Sequence, residues 1–192
     1  MKNKTHARLL CLTSVGLGAA LIVASAFIKI PYVVPITLQS FAIMLISGIF
    51  GFKIGLLSTV IYILIGVVGL PVFSLGQGGI AALFGISGGF ILGFIPVAVI
   101  VGCVSDSLYK KGNRSFWVRF LFMLISSLVL YSCGIAFYCL VYSKGDDISF
   151  YSAITLLVLP YIAFDIVKAA LAAYLSKRLL FLRTNLHFGG KS

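Results

Sequence analysis

From Ile54 to Ser105 the chain carries no charged side chain. A soluble domain places a charge at about every fourth residue. This stretch must instead cross a ~30 Å hydrocarbon core twice and turn around between the crossings. The rest of the chain agrees: 61% of its 192 residues are hydrophobic and 10% are charged, too few charges to cover a soluble surface of this size. The pattern argues against a soluble enzyme, a disordered protein and a secreted disulfide scaffold. It points to an all-α integral membrane protein, with residues 1–192 as a single membrane domain. Spans of ~20 residues leave room for about six transmembrane helices with short loops.

Apolar runs and their breaks predict spans at about 9–28, 36–51, 54–70, 87–108, 116–142 and 152–176. Lys29-Ile-Pro-Tyr-Val-Val-Pro35 ends the first, because two prolines in five residues cannot continue a helix. Lys53 marks the next turn, and Gly69-Leu-Pro71 ends the third span. Lys110, Lys111 and Arg114 form a basic turn before the fifth, which has Trp117 near its first interface. Lys144-Gly-Asp-Asp147 is a polar loop ahead of the last span, which ends at Lys177-Arg178.

With six spans, both termini share one side of the membrane. That side collects Lys2, Lys4, Arg8, Lys53, Lys110, Lys111, Arg114, Arg119, Lys177, Arg178, Arg183 and Lys191, whereas the other has Lys29 and Lys144. Cytoplasmic loops carry the excess of Lys and Arg, so twelve against two puts both termini in the cytoplasm. The net charge of +11 is then directed at anionic lipid headgroups and not at nucleic acid. Segments 30–35, 71–84 and 144–150 fall together on the outer face.

Lys2, Lys4 and Arg8 precede an apolar run through Ala24-Ser25-Ala26, which mimics a secretory signal. The run from Leu9 to Ile28 is 20 residues, longer than the ~7–15 of a signal's apolar region, and reads as a first helix that is kept. It carries small residues four apart, Ser14 with Gly18, and Gly16 with Ala20 and Ala24. Such stripes let two helices approach closely in lipid; Ala20 and Ala24 suit either another subunit or packing within the chain. The cysteines Cys11, Cys103, Cys133 and Cys139 lie in apolar stretches without metal-ligand spacing and read as small apolar fillers.

Two features carry chemistry. The turn Pro71-Val-Phe-Ser-Leu-Gly-Gln-Gly-Gly79 is apolar enough to fold back into the protein. Irregular backbone at membrane depth persists only when buried in protein or lining a cavity, and its glycines let backbone groups approach a ligand. Tight helix packing or a plain loop would use the same glycines. The second feature is Asp165 with Lys168 inside the last span. An ionisable group in a span costs at least ~2.5–3.5 kcal/mol, and residues three apart share a helix face and can compensate each other. Tyr161 lies on the same stripe, and Pro160 is expected to free the carbonyl of Leu156 nearby. The stripe offers an anion, a cation and a phenol to a small polar or zwitterion-like ligand held between helices. The alternatives are a self-neutralised pair without ligand, and Lys168 snorkelling to the cytoplasmic interface.

No catalytic constellation accompanies these features. The acids are four Asp and no Glu, both His lie in the polar ends, and H-E-x-x-H, G-x-S-x-G and P-loop motifs are absent. The chain is therefore expected to be no enzyme, to carry no catalytic residue, cofactor or metal, and to hydrolyse no ATP. It is also short for a secondary transporter built of inverted repeats. A small-molecule binder without its own motor suggests a subunit of something larger. A membrane enzyme such as a lipid-modifying transferase and a purely structural packing subunit are the rival readings.

Several segments have a familiar form. Pro35-Ile-Thr-Leu-Gln39, Gly69-Leu-Pro-Val-Phe73, Gly78-Gly79, Gly88-Gly89-Phe90-Ile-Leu-Gly-Phe94 and Leu159-Pro-Tyr-Ile-Ala-Phe-Asp165-Ile-Val-Lys168-Ala-Ala-Leu-Ala-Ala173 resemble the BioY family. These are the biotin-binding S components, or substrate-binding subunits, of energy-coupling factor (ECF) transporters. The resemblance covers roughly residues 9–180, and D-x-x-K after L-P-[FY] is its most specific element. It implies a six-helix S-component-like fold in the cell membrane that captures biotin from outside. It also implies docking on a coupling module of one transmembrane protein and two ATPases, whose ATP hydrolysis topples the subunit to release the vitamin inward. The family's last-helix Asp and Lys map to Asp165 and Lys168, and its A-x-x-x-A docking motif to Ala20 and Ala24. The other candidate ligand-binding residues in these segments are Thr37, Gln39, Phe73, Gly78, Gly79, Ser87, Gly88, Phe90 and Tyr161.

Biotin's chemistry fits these groups. A buried carboxylate, Asp165, suits paired ureido N–H donors, and an ammonium, Lys168, suits a carboxylate or the ureido oxygen. Phe73, Tyr161 and Phe90 can pack the thiolane ring. The chain departs from the family before helix four, reading Gly85-Ile-Ser-Gly-Gly-Phe90 where members often read G-P-T-G-G-Y. It also has no basic residue between 54 and 109 to supply the arginine some members use for the ligand. An S component for another vitamin or small metabolite stays open beside biotin.

Overall fold

A computed structural model of the protein describes residues 2–32, 34–142, 155 and 158–184. The loop around Lys144–Asp147, the start of the last predicted span at 152, and the tail with His187 and Lys191 lie outside these residues. The helices are α1 (Lys2–Phe27), α2 (Gln39–Phe50), α3 (Phe52–Val67), α4 (Gly88–Lys110), α5 (Phe116–Phe137), α6 (Leu159–Arg178) and α7 (Leu180–Thr184). A π-helical turn, Tyr138–Tyr142, continues α5, and two 3-10 turns, Ser74–Gly76 and Ile80–Phe84, lie between α3 and α4. By length and composition, Arg8–Phe27, Gly88–Lys110, Phe116–Val141 and Leu159–Arg178 are each sufficient to cross a membrane, whereas α2 and α3 are shorter apolar helices. The outward faces remain apolar, with Leu12, Leu64, Trp117, Leu128 and Val167 all more than half exposed, as a lipid-facing surface requires.

Helix boundaries differ from the sequence expectation where backbone pairing decides them. The second helix begins at Gln39 and not at 36, because β2 (Ile36–Thr37) is extended and pairs antiparallel with β1 (Lys29–Ile30), Lys29 opposite Thr37. The third ends at Val67, where Gly69 turns the chain. The first extends back through Lys2, since nothing before Leu9 breaks a helix. Pro160 sits in the first turn of α6, where a missing N–H breaks no bond, so it opens that helix and does not kink it. Leu156, whose carbonyl Pro160 was expected to free, lies outside the described residues.

Helix α2 organises the interior. Its 12 residues make a rod about 18 Å long, well short of a ~30 Å hydrocarbon core. Both ends therefore stop inside the protein, and all but two of its residues are buried. Gln39 and Ser40 stand at one end; at the other, Gly51 takes φ 83 and turns the chain directly into α3. Such a left-handed turn is open to glycine at little steric cost. Helices α1, α3, α4 and α6 pack around this rod.

Packing between α3 and α4 depends on Gly102. A Cβ there would stand 2.6 Å from the Cα of Phe52 and 2.9 Å from its nitrogen. Backbone cannot swing aside as a side chain does, so Gly102→Ala must push α4 off the start of α3. We expect a loss of about 1–3 kcal/mol, the scale of overpacking, read as a lower melting temperature in detergent. An unchanged melting temperature would show that this contact has slack.

Candidate functional site

Asp165 and Lys168 lie one turn apart on α6 and form an ion pair of 2.8 Å. They are only 4% and 7% exposed, so Lys168 does not snorkel. The other Asp165 oxygen accepts from the Tyr131 hydroxyl of α5 at 2.5 Å. Lys168 Nζ also lies 3.5 Å from Ser40 Oγ on α2. Three helices thus share one small charged network.

One turn toward the start of α6, Tyr161 donates its hydroxyl to the carbonyl of Val34. Its ring stacks on Phe90 of α4 at 6.5 Å and meets Tyr32 edge-on at 6.0 Å. A second polar chain runs along the α2 entrance. Thr37 Oγ1 donates to Gln39 Oε1 at 2.7 Å, Gln39 Nε2 donates to the Tyr62 hydroxyl, and that hydroxyl donates to the carbonyl of Val72 at 3.4 Å. Thr37, Gln39 and Tyr62 thus each have a partner, as burial demands.

These groups surround a cavity with about 50 Å³ of free space, against the ~10–15 Å³ that one water needs. Asp165, Lys168, Tyr131, Gln39 and Ser40 supply polar groups, while Phe90, Phe94, Ile91 and Leu130 supply an apolar wall. Val34, Thr37, Ser74 and Ser87 lie at it too, so the 30–35 segment and the glycine-rich segment meet around one space. The pair is neither sealed nor isolated. An ammonium has three donors and an ionised carboxylate about four acceptor sites, so both groups keep capacity for a ligand. Among the described residues no group of His, Cys, Asp and Glu could hold a metal.

The structure therefore gathers Thr37, Gln39, Ser87, Phe90, Tyr161, Asp165 and Lys168 around the cavity. It places Phe73, Gly78, Gly79 and Gly88 outside the lining. Phe73 is fully buried, edge-on to Tyr62 at 5.7 Å and pressed over Gly66. Gly78 backs onto the carbonyl of Leu70, Gly88 onto that of Leu83, and Gly79 donates to the Gly66 carbonyl at 2.7 Å. These glycines let the turn fold against its own backbone, the packing role weighed beside ligand contact. Ser74 carries the turn to the cavity.

Sequence reasoning passed over Tyr131, Ser40 and Ser74. Tyr131 had one available signal, since a phenol in mid-span must find a polar partner. The serines had none of their own. Ala20 and Ala24 lie away from the cavity, exposed on the outer face of α1 together with Gly16. Gly18 faces inward against Ser58 and Ile46, so the two small-residue stripes lie on different faces of α1.

Comparison with known proteins agrees with this picture. Residues 1–184 match the model of the BioY family. The chain is similar to the biotin transporter BioY of Thermotoga maritima, 33% identical over 175 residues that cover 88% of this chain and 94% of that protein. It is 38% identical over 146 residues to a probable biotin transporter BioY of Pyrococcus horikoshii, covering 76% and 80% of the two. Among solved structures it resembles the crystal structure of the S-component for biotin from an ECF-type ABC transporter. The TM-score is 0.79 at 25% identity, over 90% of this chain and 91% of that one. The apolar helices and this likeness define a multi-pass helical membrane protein with the S-component fold. With the family model matched along almost its whole length, the chain belongs to the BioY family.

Proposed function

We propose that this protein is the biotin-capture subunit of an ATP-driven ECF-type vitamin importer in the plasma membrane. It spans the bilayer six times with both termini in the cytoplasm, as the twelve-to-two split of loop cations favours. Biotin enters the cavity from outside and is delivered through a separate coupling module of one transmembrane protein and two ATPases. The subunit itself is a binding protein and not an enzyme. The observation that carries the reading is the buried Asp165–Lys168 pair beside a cavity lined by both polar groups and aromatic rings. The bicyclic head of biotin presents two N–H donors and a carbonyl, and the pair presents an acceptor and a donor three residues apart. Phe90 and Tyr161, stacked side by side, suit the apolar thiolane ring.

The test is what the protein carries. Purified in mild detergent from biotin-replete cells and then denatured, it should release biotin in near-equal amount, identified by mass spectrometry. Unlabelled biotin should displace a labelled sample, and thiamine and riboflavin should not. Displacement by one of those instead would identify an S component for another vitamin. No bound molecule and no displacement would leave a structural subunit.

A further inference from the structure

Arg119 presents an unmet charge. It stands one turn into α5, beside the basic turn, where its sequence position groups it with the loop cations. The structure buries it to 3% exposure. One terminal nitrogen, Nη1, donates to the Gly48 carbonyl near the end of α2 at 3.0 Å and lies 3.5 Å from Ser105 Oγ. The other two, Nε and Nη2, have no hydrogen-bond partner among the described residues. These two N–H groups form one edge of the guanidinium, the planar fork that grips an anion with two parallel bonds.

The local charge does not balance. Asp106 is the nearby acid, but it is engaged by Arg183 at 2.5 Å and by the Phe52 N–H at 3.3 Å. Arg183 and Arg119 both reach Ser105 Oγ at 3.5 Å. Among the described residues the corner therefore holds two guanidinium groups, which do not deprotonate in proteins, against one carboxylate. A buried charge without a counter-ion is strongly destabilising. Arg119, Gly48, Ser105, Phe122 and Met123 line a small cavity with about 10 Å³ of free space, room for about one occupant near the size of a water. It suits a single ion and excludes a lipid headgroup or a nucleotide.

We propose that this corner, between α2, α4 and α5, binds one small monovalent anion of the size of chloride, chelated by Nε–H and Nη2–H of Arg119. The ion balances the second guanidinium and so stabilises the junction where α2 turns into α3. The site is distinct from the ligand cavity: Ser40 and Gly48 stand eight residues apart on α2, about 12 Å along the helix. The proposal therefore holds or fails independently of the biotin reading.

The test uses the purified full chain in detergent at constant ionic strength, with sodium gluconate replaced stepwise by sodium chloride. Gluconate is too large for the cavity. The melting temperature of the wild type should rise by at least about 3 °C as chloride reaches 100 mM, by linkage to binding. In Arg119→Met the rise should vanish, while Ser105 still bonds the Gly48 carbonyl at 2.6 Å. Equal melting of the wild type in both salts, or an unchanged chloride response in Arg119→Met, would overturn the site. If that variant does not fold, crystals of the wild type in sodium bromide decide. An anomalous peak within hydrogen-bond distance of Nε supports the site, and a flat map at Arg119 removes it.

Discussion

Asp165→Asn and Lys168→Met should each weaken biotin binding about 30-fold or more. That factor corresponds to the ~2 kcal/mol scale of stranding a buried charged partner. Asp165 has both oxygens engaged, one by Lys168 and one by Tyr131. Replacing it by Asn keeps an amide oxygen as acceptor but removes the counter-charge, leaving a buried ammonium with neutral partners only, Ser40 at 3.5 Å among them. Lys168→Met leaves the carboxylate to Tyr131 alone. On the proposed site each change removes a ligand contact, and each unbalances the group left behind, so both variants should also melt lower. Combining Asp165→Asn with Lys168→Met separates these effects. A buried ion pair replaced as a whole is often neutral for stability, so the double variant should recover melting temperature without recovering affinity. Titration calorimetry in detergent measures the dissociation constants. Near-wild-type values in the single variants, or in the double variant, would remove the pair from the site.

Much of this was legible because the bilayer makes charge expensive. Asp165 and Lys168 stood out in the last span for that reason, and the uncharged stretch between Lys53 and Asp106 bounded two helices and the turn between them. What the sequence did not reveal has equally physical causes. Tyrosine serves core, interface and binding site alike, so the one signal of Tyr131, a phenol in mid-span, did not name Asp165 as its partner. Glycine marks a close approach without naming what approaches; at Gly78 and Gly88 it is the chain's own carbonyls. Helix ends shifted where two extended residues, Ile36 and Thr37, found a partner in Lys29 and Ile30. Arg119 lay near the basic turn and read as a loop cation. It turns inward because the short α2 ends inside the protein and offers its Gly48 carbonyl there.

Ala20→Trp and Ala24→Trp should leave biotin binding by the isolated subunit within about twofold, as expected for surface changes away from a site, yet reduce uptake with the coupling module to background. Helix α1 has two faces. Val15, Ala19, Ile22 and Ala26 are buried toward the bundle, and Ser58 of α3 donates to the Val15 carbonyl at 3.1 Å. Gly16, Ala20 and Ala24 point the other way, and a Cβ at Gly16 would meet nothing within 4 Å. Three small residues at four-residue spacing cut a shallow groove along an otherwise leucine-rich surface, with Leu17 and Leu21 beside it. In lipid, helix association depends on close backbone approach and not on hydrophobicity, so an indole in this groove holds a partner helix off while finding ample apolar surroundings itself. Gly18→Trp is the contrasting change. A Cβ there already crowds Ser58 and stands 3.3 Å from Ile46, so that variant should fail to fold and lose binding together with uptake. Normal uptake by both alanine variants would show that the groove meets no partner. Loss of biotin binding by the purified variants would instead assign the stripe to the subunit's own packing.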